Sequence, residues 1–242
     1  MLTILVVGAT GATGRLLVKK LLDRDVNVKV IVRSPDKLPK EILDHDNLSL
    51  TQASLLDLDD DTLAQHVRGC DAVASCLGHN LNLRGIYGQP RKLVTDATRR
   101  LCHAIKSNNS GPPVKFVLMN TTGNQNRDLS EPISSAEKAA VGLIRLLLPP
   151  HVDNEQAADY LRVEIGKNNR EIEWVAVRPD GLVNEEQVTD YEVYPSPNRS
   201  AIFNPGTTSR INVGHFMADL ITDADTWNQW KGQMPVIYNK AH

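Results

Sequence analysis

The sequence predicts a single α/β domain over residues 1–242. Apolar runs of strand length alternate with stretches of helical spacing, and no linker-like or low-complexity tract interrupts them. A glycine-rich turn joins the first predicted strand to the first predicted helix. With 41% hydrophobic residues in 242, the chain can bury one sizeable core. Seven strands are predicted in all, each followed or preceded by helical spacing.

The first strand, helix and turn carry the strongest signal. Glycines at positions 8, 11 and 14 separate an apolar strand at residues 3–7 from a helix at 15–22. This spacing allows a sharp turn and a close approach to a pyrophosphate, while the helix directs its N–H groups at the anion. A second predicted strand at 26–32 completes a βαβ unit. Glycines also occur where a helix merely packs closely on a sheet, but this context favours a dinucleotide.

The residues after the second predicted strand indicate which dinucleotide binds. In NAD sites a carboxylate about 20 residues beyond the glycines accepts from the ribose hydroxyl, but this chain has Arg33 and Ser34 there. A guanidinium can donate two hydrogen bonds to a phosphate, and a serine hydroxyl can donate another. The pair therefore favours the 2′-phosphate of NADP(H) over NAD. The nearest carboxylate, Asp36, follows Pro35 in a predicted turn. An arginine on a solvated strand end is the alternative interpretation.

The remaining elements continue the same alternation. Strands are predicted at 47–51, 71–78, 115–119, 171–177 and 234–238, and helices at 54–67, 90–106, 134–148, 153–167 and 213–221. The acidic residues 59–61 suit a helix N-terminus. The proline pair 149–150 is predicted to end one helix, and Asp153 to cap the next. Gly78 ends the fourth strand at the carboxyl edge, where open α/β sheets bind ligands.

Two segments allow more than one interpretation. The amphipathic helix at 134–148 is either laid over the edge of the core or is a lid or partner surface. The segment 191–204, with Tyr191, Tyr194, Phe203 and prolines at 195, 197 and 205, is either a packed surface loop or a stiff apolar wall over a planar ligand. Small substrate-side elements are therefore expected at about 126–160 and 180–210.

Composition argues against several kinds of partner. The formal net charge is −2 and the basic residues are dispersed, so no nucleic-acid-binding surface is expected. Met1 leads directly into the first strand and no apolar run reaches membrane-spanning length, so we expect a cytoplasmic protein without a membrane partner. Cys70, Cys76 and Cys102 lack metal-ligand spacing, and no metal site is expected. A monomer or homodimer acting on a small molecule is expected.

Taken together, these motifs resemble the atypical, or extended, short-chain dehydrogenase/reductase superfamily. The motifs are the glycine turn, Arg33 with Ser34, Leu77 with Gly78, the strand end 120–123 and the run 174–179, and they span nearly the whole chain. The short length and the Arg-Pro strand end are most similar to its NAD(P)H-binding group, with NmrA-like proteins, flavin reductases and biliverdin reductase B. The resemblance implies a Rossmann-type, doubly wound parallel sheet ordered 3-2-1-4-5-6-7, with NADP(H) across the carboxyl ends of the strands.

The resemblance also implies roles for individual residues. The pyrophosphate would be held by Gly8, Thr10, Gly11, Ala12, Thr13 and Gly14. Arg33 and Ser34 would bind the 2′-phosphate, while Ser54 and Leu55 would border the adenine. Relatives usually carry Asp before that Leu, so this chain lacks a carboxylate for the adenine amine. Toward the ribose and nicotinamide would lie Leu77, Gly78, Asn120, Thr121, Pro179 and Asp180.

The sequence lacks the usual catalytic pair of this superfamily, a Tyr with a Lys four residues later. Tyr160 is followed at that distance by Glu164, which would raise the pKa of the phenol, so Tyr160 is predicted to pack rather than react. Aligning the helix by its link to the following strand places His151 or Asn154, and Glu155, near the two usual positions.

A reductase would therefore need another proton donor. His151 is the first candidate because of its imidazole chemistry, and His79 is the second. Asp180 is expected to orient either one, and Thr121 or Thr122 to hydrogen-bond the substrate. Each of His151, His79 and Asp180, taken alone, is more often a solvated loop residue. Flavins and similar acceptors can also take a proton from water, so the missing pair does not exclude reductase activity.

These residues leave two classes of function open. The first is an NADPH-dependent reductase of a small, flat, conjugated acceptor such as a flavin or quinone. The second is a non-catalytic dinucleotide sensor resembling NmrA, which would report redox state to a protein partner. An epimerase or dehydratase acting on a nucleotide sugar is disfavoured, because only about 60 residues follow Arg178 and a large substrate domain would not fit there.

Overall fold

The computed structural model describes residues 1–79, 82–108, 111–131 and 133–240, which form an α/β fold around an eight-stranded sheet. In chain order the strands are β1 (Thr3–Val7), β2 (Asn27–Val32), β3 (Leu48–Gln52), β4 (Ala72–Ser75), β5 (Val114–Met119), β6 (Ile172–Pro179), β7 (Gly181–Val183), β8 (Tyr191–Tyr194), β9 (Thr207–Ser209) and β10 (Val236–Asn239). The sheet order is β3-β2-β1-β4-β5-β6-β10-β8, and β7 pairs with β9 separately. All pairs are parallel except β10 with β8.

Helices cover both faces of this sheet. They are α1 (Gly14–Leu22), α2 (Lys40–Leu43), α3 (Asp60–Val67), α4 (Leu83–Tyr87), α5 (Leu93–Asn108), α6 (Ser135–Leu147), α7 (Pro149–Asp159), α8 (Arg210–Thr222) and α9 (Ala224–Trp230). A π-helical segment, Tyr160–Ile165, continues α7. No helix among the described residues is long and apolar enough to cross a bilayer.

Alternate residues of each central strand enter two separate apolar clusters. Ile4 and Val6 of β1 pack with α1, α8 and α9, whereas Leu5 and Val7 pack with α3 and α5. This is the period-two pattern of a parallel sheet that is buried on both faces. The central strands are therefore mostly apolar.

The predicted fold class is confirmed, with one addition at the edge of the sheet. The order predicted from the resemblance is found, with β10 in the seventh position. The eighth strand, β8, lies in the segment 191–204 that showed no strand pattern, and it pairs antiparallel with β10. Pro195 and Pro197 follow β8 immediately, and prolines are tolerated at such an edge because no further strand needs their N–H groups. Helix α9 was also not predicted.

The helix boundary near residue 150 differs from the prediction. Helix α7 begins at Pro149, because proline suits the first turn of a helix, where N–H groups have no partner within the helix. The proline pair thus ends α6 and also starts α7. Asp153 lies inside α7 and caps a different helix, α5, by accepting from the N–H groups of Val94 at 2.8 Å and Thr95 at 2.9 Å.

Candidate functional site

The turn between β1 and α1 depends on its glycines. Gly8 has a φ of +76°, and a Cβ there would lie 2.5 Å from the carbonyl carbon of Cys76. A side chain at Gly14 would collide with the carbonyl oxygen of Gly8, and the N–H of Gly11 donates to that oxygen at 3.0 Å. The glycines therefore let the turn pack against the end of β4 and let α1 begin directly beside it.

The N-terminus of α1 presents unpaired N–H groups. Gly11 and Ala12 are exposed, and Thr10 beside them is half-buried. Thr13 stands at the N-cap without a side-chain hydrogen bond, and the first turn contains no acidic residue. Within the described residues, the N–H groups of Ala12 and Thr13 have no acceptor. Such groups at the positive end of a helix bind phosphate oxygens, so the turn fits a pyrophosphate.

Arg33 and Ser34 directly follow β2, at the same edge of the sheet as the turn. The Arg33 side chain is exposed and has no ion-pair partner in the described part of the chain. Ser34 is half-buried and caps a short 3-10 turn, Pro35–Lys37, without a side-chain hydrogen bond. Asp36 is exposed within that turn. A guanidinium and a hydroxyl are both available to an anion here.

The other predicted cofactor positions flank the turn on both sides. Ser54 and Leu55 follow β3, where Ser54 is half-buried and Leu55 is buried. Leu77 and Gly78 follow β4, which ends at Ser75 rather than at the predicted residue 78. Leu77 packs against the core and Gly78 is exposed. Because parallel strands end at a common edge, these residues lie at the same edge of the sheet as the glycine turn.

Asn120, predicted to border the cofactor, uses its side chain mainly within the protein. Its Oδ1 accepts from the Thr121 N–H at 2.9 Å and from Asn124 at 3.2 Å. Its Nδ2 donates to the Asn154 carbonyl at 2.9 Å. The buried Asn120 therefore fastens α7 to the carboxyl end of β5.

Helix α7 brings His151 against the loop after β5. A Cβ on Gly123 would lie 3.4 Å from Cε1 and 3.7 Å from Nδ1 of His151, and 3.7 Å from Oγ1 of Thr121. Thr121 Oγ1 accepts from the Gly123 N–H at 3.3 Å, which leaves its hydroxyl proton free for a ligand. Two predicted catalytic candidates, Thr121 and His151, thus both have atoms within 4 Å of the position that a Cβ on Gly123 would occupy.

A carboxylate lies behind this imidazole. Nε2 of His151 is buried and lies 3.4 Å from Oε1 of Glu155, one helical turn later. Arg145 binds both oxygens of Glu155 with hydrogen bonds of 2.8 to 3.1 Å. Burial alone would raise the pKa of Glu155, but His151 and Arg145 outweigh it and hold that pKa at about 2. Glu155 is therefore ionised and able to stabilise a protonated His151 ring.

His79, the second imidazole candidate, is engaged in structural contacts. Its Nε2 lies 2.7 Å from Oδ2 of Asp153, and its Nδ1 lies 3.2 Å from a backbone carbonyl of α4. Burial would raise the pKa of Asp153, but hydrogen bonds from His79, Thr95 and Val94 outweigh it and lower that pKa. His79 and Asp153 thus join α4, α5 and α7.

Asp180 does not orient either imidazole, contrary to the expectation from the sequence. Its Oδ1 accepts from the Gly181 N–H at 2.9 Å, and its Oδ2 accepts from the Gly206 N–H at 2.8 Å. Burial raises its pKa. Pro179 ends β6 beside it, and the Pro179 carbonyl accepts from the Thr122 N–H at 3.1 Å. Asp180 therefore holds the small β7–β9 sheet in place.

Tyr160 packs, as predicted. It lies against the core, with the guanidinium of Arg99 5.6 Å from its ring centroid. Burial raises the pKa of its phenol, and Glu164 acts in the same direction. Arg99 acts in the opposite direction, but the net shift disfavours a phenolate.

A cleft opens beside Gly123. It contains about 670 Å³ of free space, a volume that includes the open solvent at its entrance. Its walls come from the loop after β5, from α6 and from residues 197–202. In α6 only Val141 is buried, while Leu143, Leu146 and Leu147 are exposed. Helix α6 is therefore a wall of this cleft rather than a cover over the core edge.

The sequence did not reveal the ion pair beneath the cleft. Arg178 is fully buried and binds Glu131 at 2.7 and 3.2 Å. Arg178 also donates to the carbonyl of Asn124 at 2.9 Å. An arginine inside an apolar strand was the available signal, but its partner lies 47 residues away in a loop. The pair fixes the loop that forms the floor of the cleft.

Comparisons with known proteins agree with this architecture. The family described as NAD(P)H-binding matches residues 8–224. Among curated proteins the sequence has no match. A solved short-chain dehydrogenase/reductase from Veillonella parvula DSM 2008, in complex with NADP, is 18% identical with a TM-score of 0.72, and the match covers 99% of this chain and 95% of that one.

Two further solved structures are similar. A protein from Streptococcus pneumoniae TIGR4, provisionally named an NADH-flavin reductase, is 17% identical with a TM-score of 0.66, covering 99% of this chain and 100% of that one. ChuY, an anaerobillin reductase from Escherichia coli O157:H7, is 16% identical with a TM-score of 0.68, covering 99% and 98%. These structures share the fold, and the family match spans most of the sequence. The chain belongs to the NAD(P)H-binding family, as its motifs predicted.

Proposed function

We propose that this protein is an NADP(H)-dependent reductase of a small conjugated acceptor, of the flavin or quinone type. The observation that carries the proposal is the position of Thr121 and His151 beside Gly123, a residue that lines the cleft. This point lies at the same sheet edge as the glycine turn, so a dinucleotide bound there and an acceptor in the cleft would meet. The flavin and anaerobillin reductases named above share the fold, which supports this choice of acceptor.

In this proposal the cofactor lies along the edge of the sheet formed by the carboxyl ends of the parallel strands. The turn from Gly8 to Gly14 holds the pyrophosphate with the unpaired N–H groups of Ala12 and Thr13. Arg33 and Ser34 bind the 2′-phosphate, which makes NADP(H) the preferred dinucleotide. The adenine, ribose and nicotinamide are bordered by Ser54, Leu55, Leu77, Gly78, Asn120, Thr121 and Pro179.

The proposed reaction also needs a proton donor. NADPH, when bound, supplies a hydride from its nicotinamide ring, so one proton must also reach the acceptor. His151 would donate it from Nδ1, the ring nitrogen on the Gly123 side, while Glu155 beside Nε2 stabilises the protonated ring. Thr121 would position the acceptor with its free hydroxyl proton. One NADPH, one acceptor and one proton would thus yield NADP and the reduced acceptor.

The test is an anaerobic screen of acceptors with NADPH in excess. We expect NADPH oxidation that depends on the protein and on FMN, a naphthoquinone or a redox dye, with one acceptor reduced for each NADPH consumed. Oxygen is excluded because it reoxidises reduced flavin. Tight NADPH binding without oxidation by any acceptor would contradict the proposal and favour the NmrA-like sensor, to which the missing Tyr-Lys pair also points.

A further inference from the structure

The cleft beside Gly123 is lined by several charged side chains. Glu137, Lys138 and Arg145 come from α6, Arg199 comes from the segment after β8, and Glu131 lies in the floor. Which of these charges a ligand would meet depends on the partners that each one already has.

Two of the five charges are neutralised within the protein. Glu131 is bound by the buried Arg178 and also accepts from the Asn126 N–H at 2.8 Å. Arg145 is bound through two of its nitrogens to Glu155. A ligand therefore meets these groups as ion pairs rather than as free charges.

The other three leave an excess of positive charge. Lys138 and Arg199 have no carboxylate at ion-pair distance among the residues that the structure describes. Glu137 is the single opposing carboxylate, and it accepts from the Ser200 hydroxyl at 2.7 Å. Two cations and one carboxylate thus line a cleft that opens to solvent.

Arg199 is held in position by an aromatic ring. Its guanidinium carbon lies 5.4 Å from the ring centroid of Tyr238, a buried residue of β10. Its Nε donates to Asn198 at 3.4 Å. Asp180 is near enough for Arg199 to lower its pKa slightly, but the Asp180 oxygens are taken by backbone N–H groups. A stacked arginine with terminal nitrogens free binds planar acid groups well.

We propose that the acceptor carries an acid group, a carboxylate or a phosphate, that Arg199 and Lys138 bind. This inference rests on the proposed function and names the class of substrate for the same site. The acid group would lie toward α6 and Arg199, and the conjugated ring would lie toward Gly123, since all three line the same cleft. Glu137 would keep a second acid group away from the N-terminal turn of α6.

The test compares two pairs of flavins, FMN with riboflavin and 10-carboxymethylflavin with lumiflavin, in which the members of a pair differ in the acid group; each is titrated into the protein saturated with NADP⁺. Lumiflavin and riboflavin are neutral, FMN carries a phosphate and 10-carboxymethylflavin carries a carboxylate. Flavin fluorescence reports binding without turnover. We expect FMN or the carboxymethyl compound to bind about tenfold more tightly than the neutral flavins, the usual size of a charge-assisted contact. The tighter of the two identifies the acid, and raised salt should weaken its binding alone.

Substitutions test whether Arg199 and Lys138 cause the preference for acid-bearing flavins. Arg199→Gln and Lys138→Gln should remove most of the preference for the acid-bearing flavin, while riboflavin affinity changes less than about twofold. Arg199→Lys keeps the charge and loses the planar fork, so it should retain part of the preference. Arg170→Gln removes an exposed arginine before β6, at the opposite edge, and should retain all of it.

The outcomes separate this inference from the proposed function. If all four flavins bind equally, or if the preference survives in both Gln variants, the inference is overturned while the reductase proposal stands. A parallel loss of riboflavin and FMN binding in Arg199→Gln would also overturn it, because that pattern reflects damage to the cleft. If no flavin binds to the NADP⁺ complex, the proposed class of acceptor is wrong. The acid-group inference and the proposed function are then both contradicted.

Discussion

At the scale of single residues, the proposed proton transfer depends on His151. Its Nε2 is buried beside Glu155, and a Cβ on Gly123 would lie 3.7 Å from its Nδ1. Glu155 carries a negative charge because Arg145 and His151 together lower its pKa to about 2. The charge of Glu155 therefore persists throughout the neutral range, beside the buried nitrogen of the ring.

We predict that His151→Ala lowers kcat with a quinone acceptor by about a hundredfold, the lower range for removal of a general acid. Added imidazole should restore part of this loss, because it can enter the space that the side chain leaves. The affinity for NADPH should be unchanged, since no predicted phosphate contact involves α7. Steady-state kinetics with and without imidazole measure both effects.

The matched control is His103→Ala, which removes an exposed histidine from α5. This variant should keep the activity of the unmodified protein and should not respond to imidazole. Full activity in His151→Ala, or a loss that imidazole leaves untouched, would show that the acceptor takes its proton from water.

At the scale of elements, α7 organises the site. His151 and Glu155 lie one turn apart on it, and between them Asp153 caps the buried start of α5. The Asn154 carbonyl accepts from Asn120 at the end of β5. A change in the position of α7 would therefore move the imidazole, a helix end and a strand end together.

We predict that Asp153→Ala lowers the free energy of unfolding by about 3 kcal/mol, because two N–H groups and the His79 ring lose a buried acceptor. The control, Asp223→Ala, removes the exposed cap of α9, where the carboxylate accepts from the Thr226 N–H at 2.6 Å. It should cost clearly less, because water can take the place of an exposed cap. Urea denaturation near neutral pH compares the two, and equal losses would show that Asp153 adds nothing beyond an ordinary cap.

The pH dependence of the Asp153 variant has a defined sign. Hydrogen bonds lower the pKa of Asp153 in the folded protein below its value in the unfolded chain, so the carboxylate stabilises the fold above that unfolded value. This contribution is lost as the pH falls through the folded pKa. The difference in stability between the unmodified protein and Asp153→Ala should therefore shrink below about pH 4.

At the scale of the whole molecule, the sequence predicted the sheet well because central parallel strands are apolar runs with a fixed connection. It did not predict β8, since an edge strand of four residues buries too little to leave an apolar pattern. The glycine turn was predicted because its geometry is local. The side-chain pairs of the site were harder, because His79 with Asp153 and Arg178 with Glu131 join residues 74 and 47 positions apart.

The central claim is that the glycine turn and the end of β2 together form a binding site for NADP(H). Calorimetric titration with NADP⁺ and NAD⁺ tests it most directly, in the unmodified protein, in Arg33→Gln and in the Arg170→Gln control. We predict that NADP⁺ binds at least about tenfold more tightly than NAD⁺, and that only Arg33→Gln removes this difference. Equal or tighter binding of NAD⁺, or a preference that Arg33→Gln leaves intact, would contradict the account.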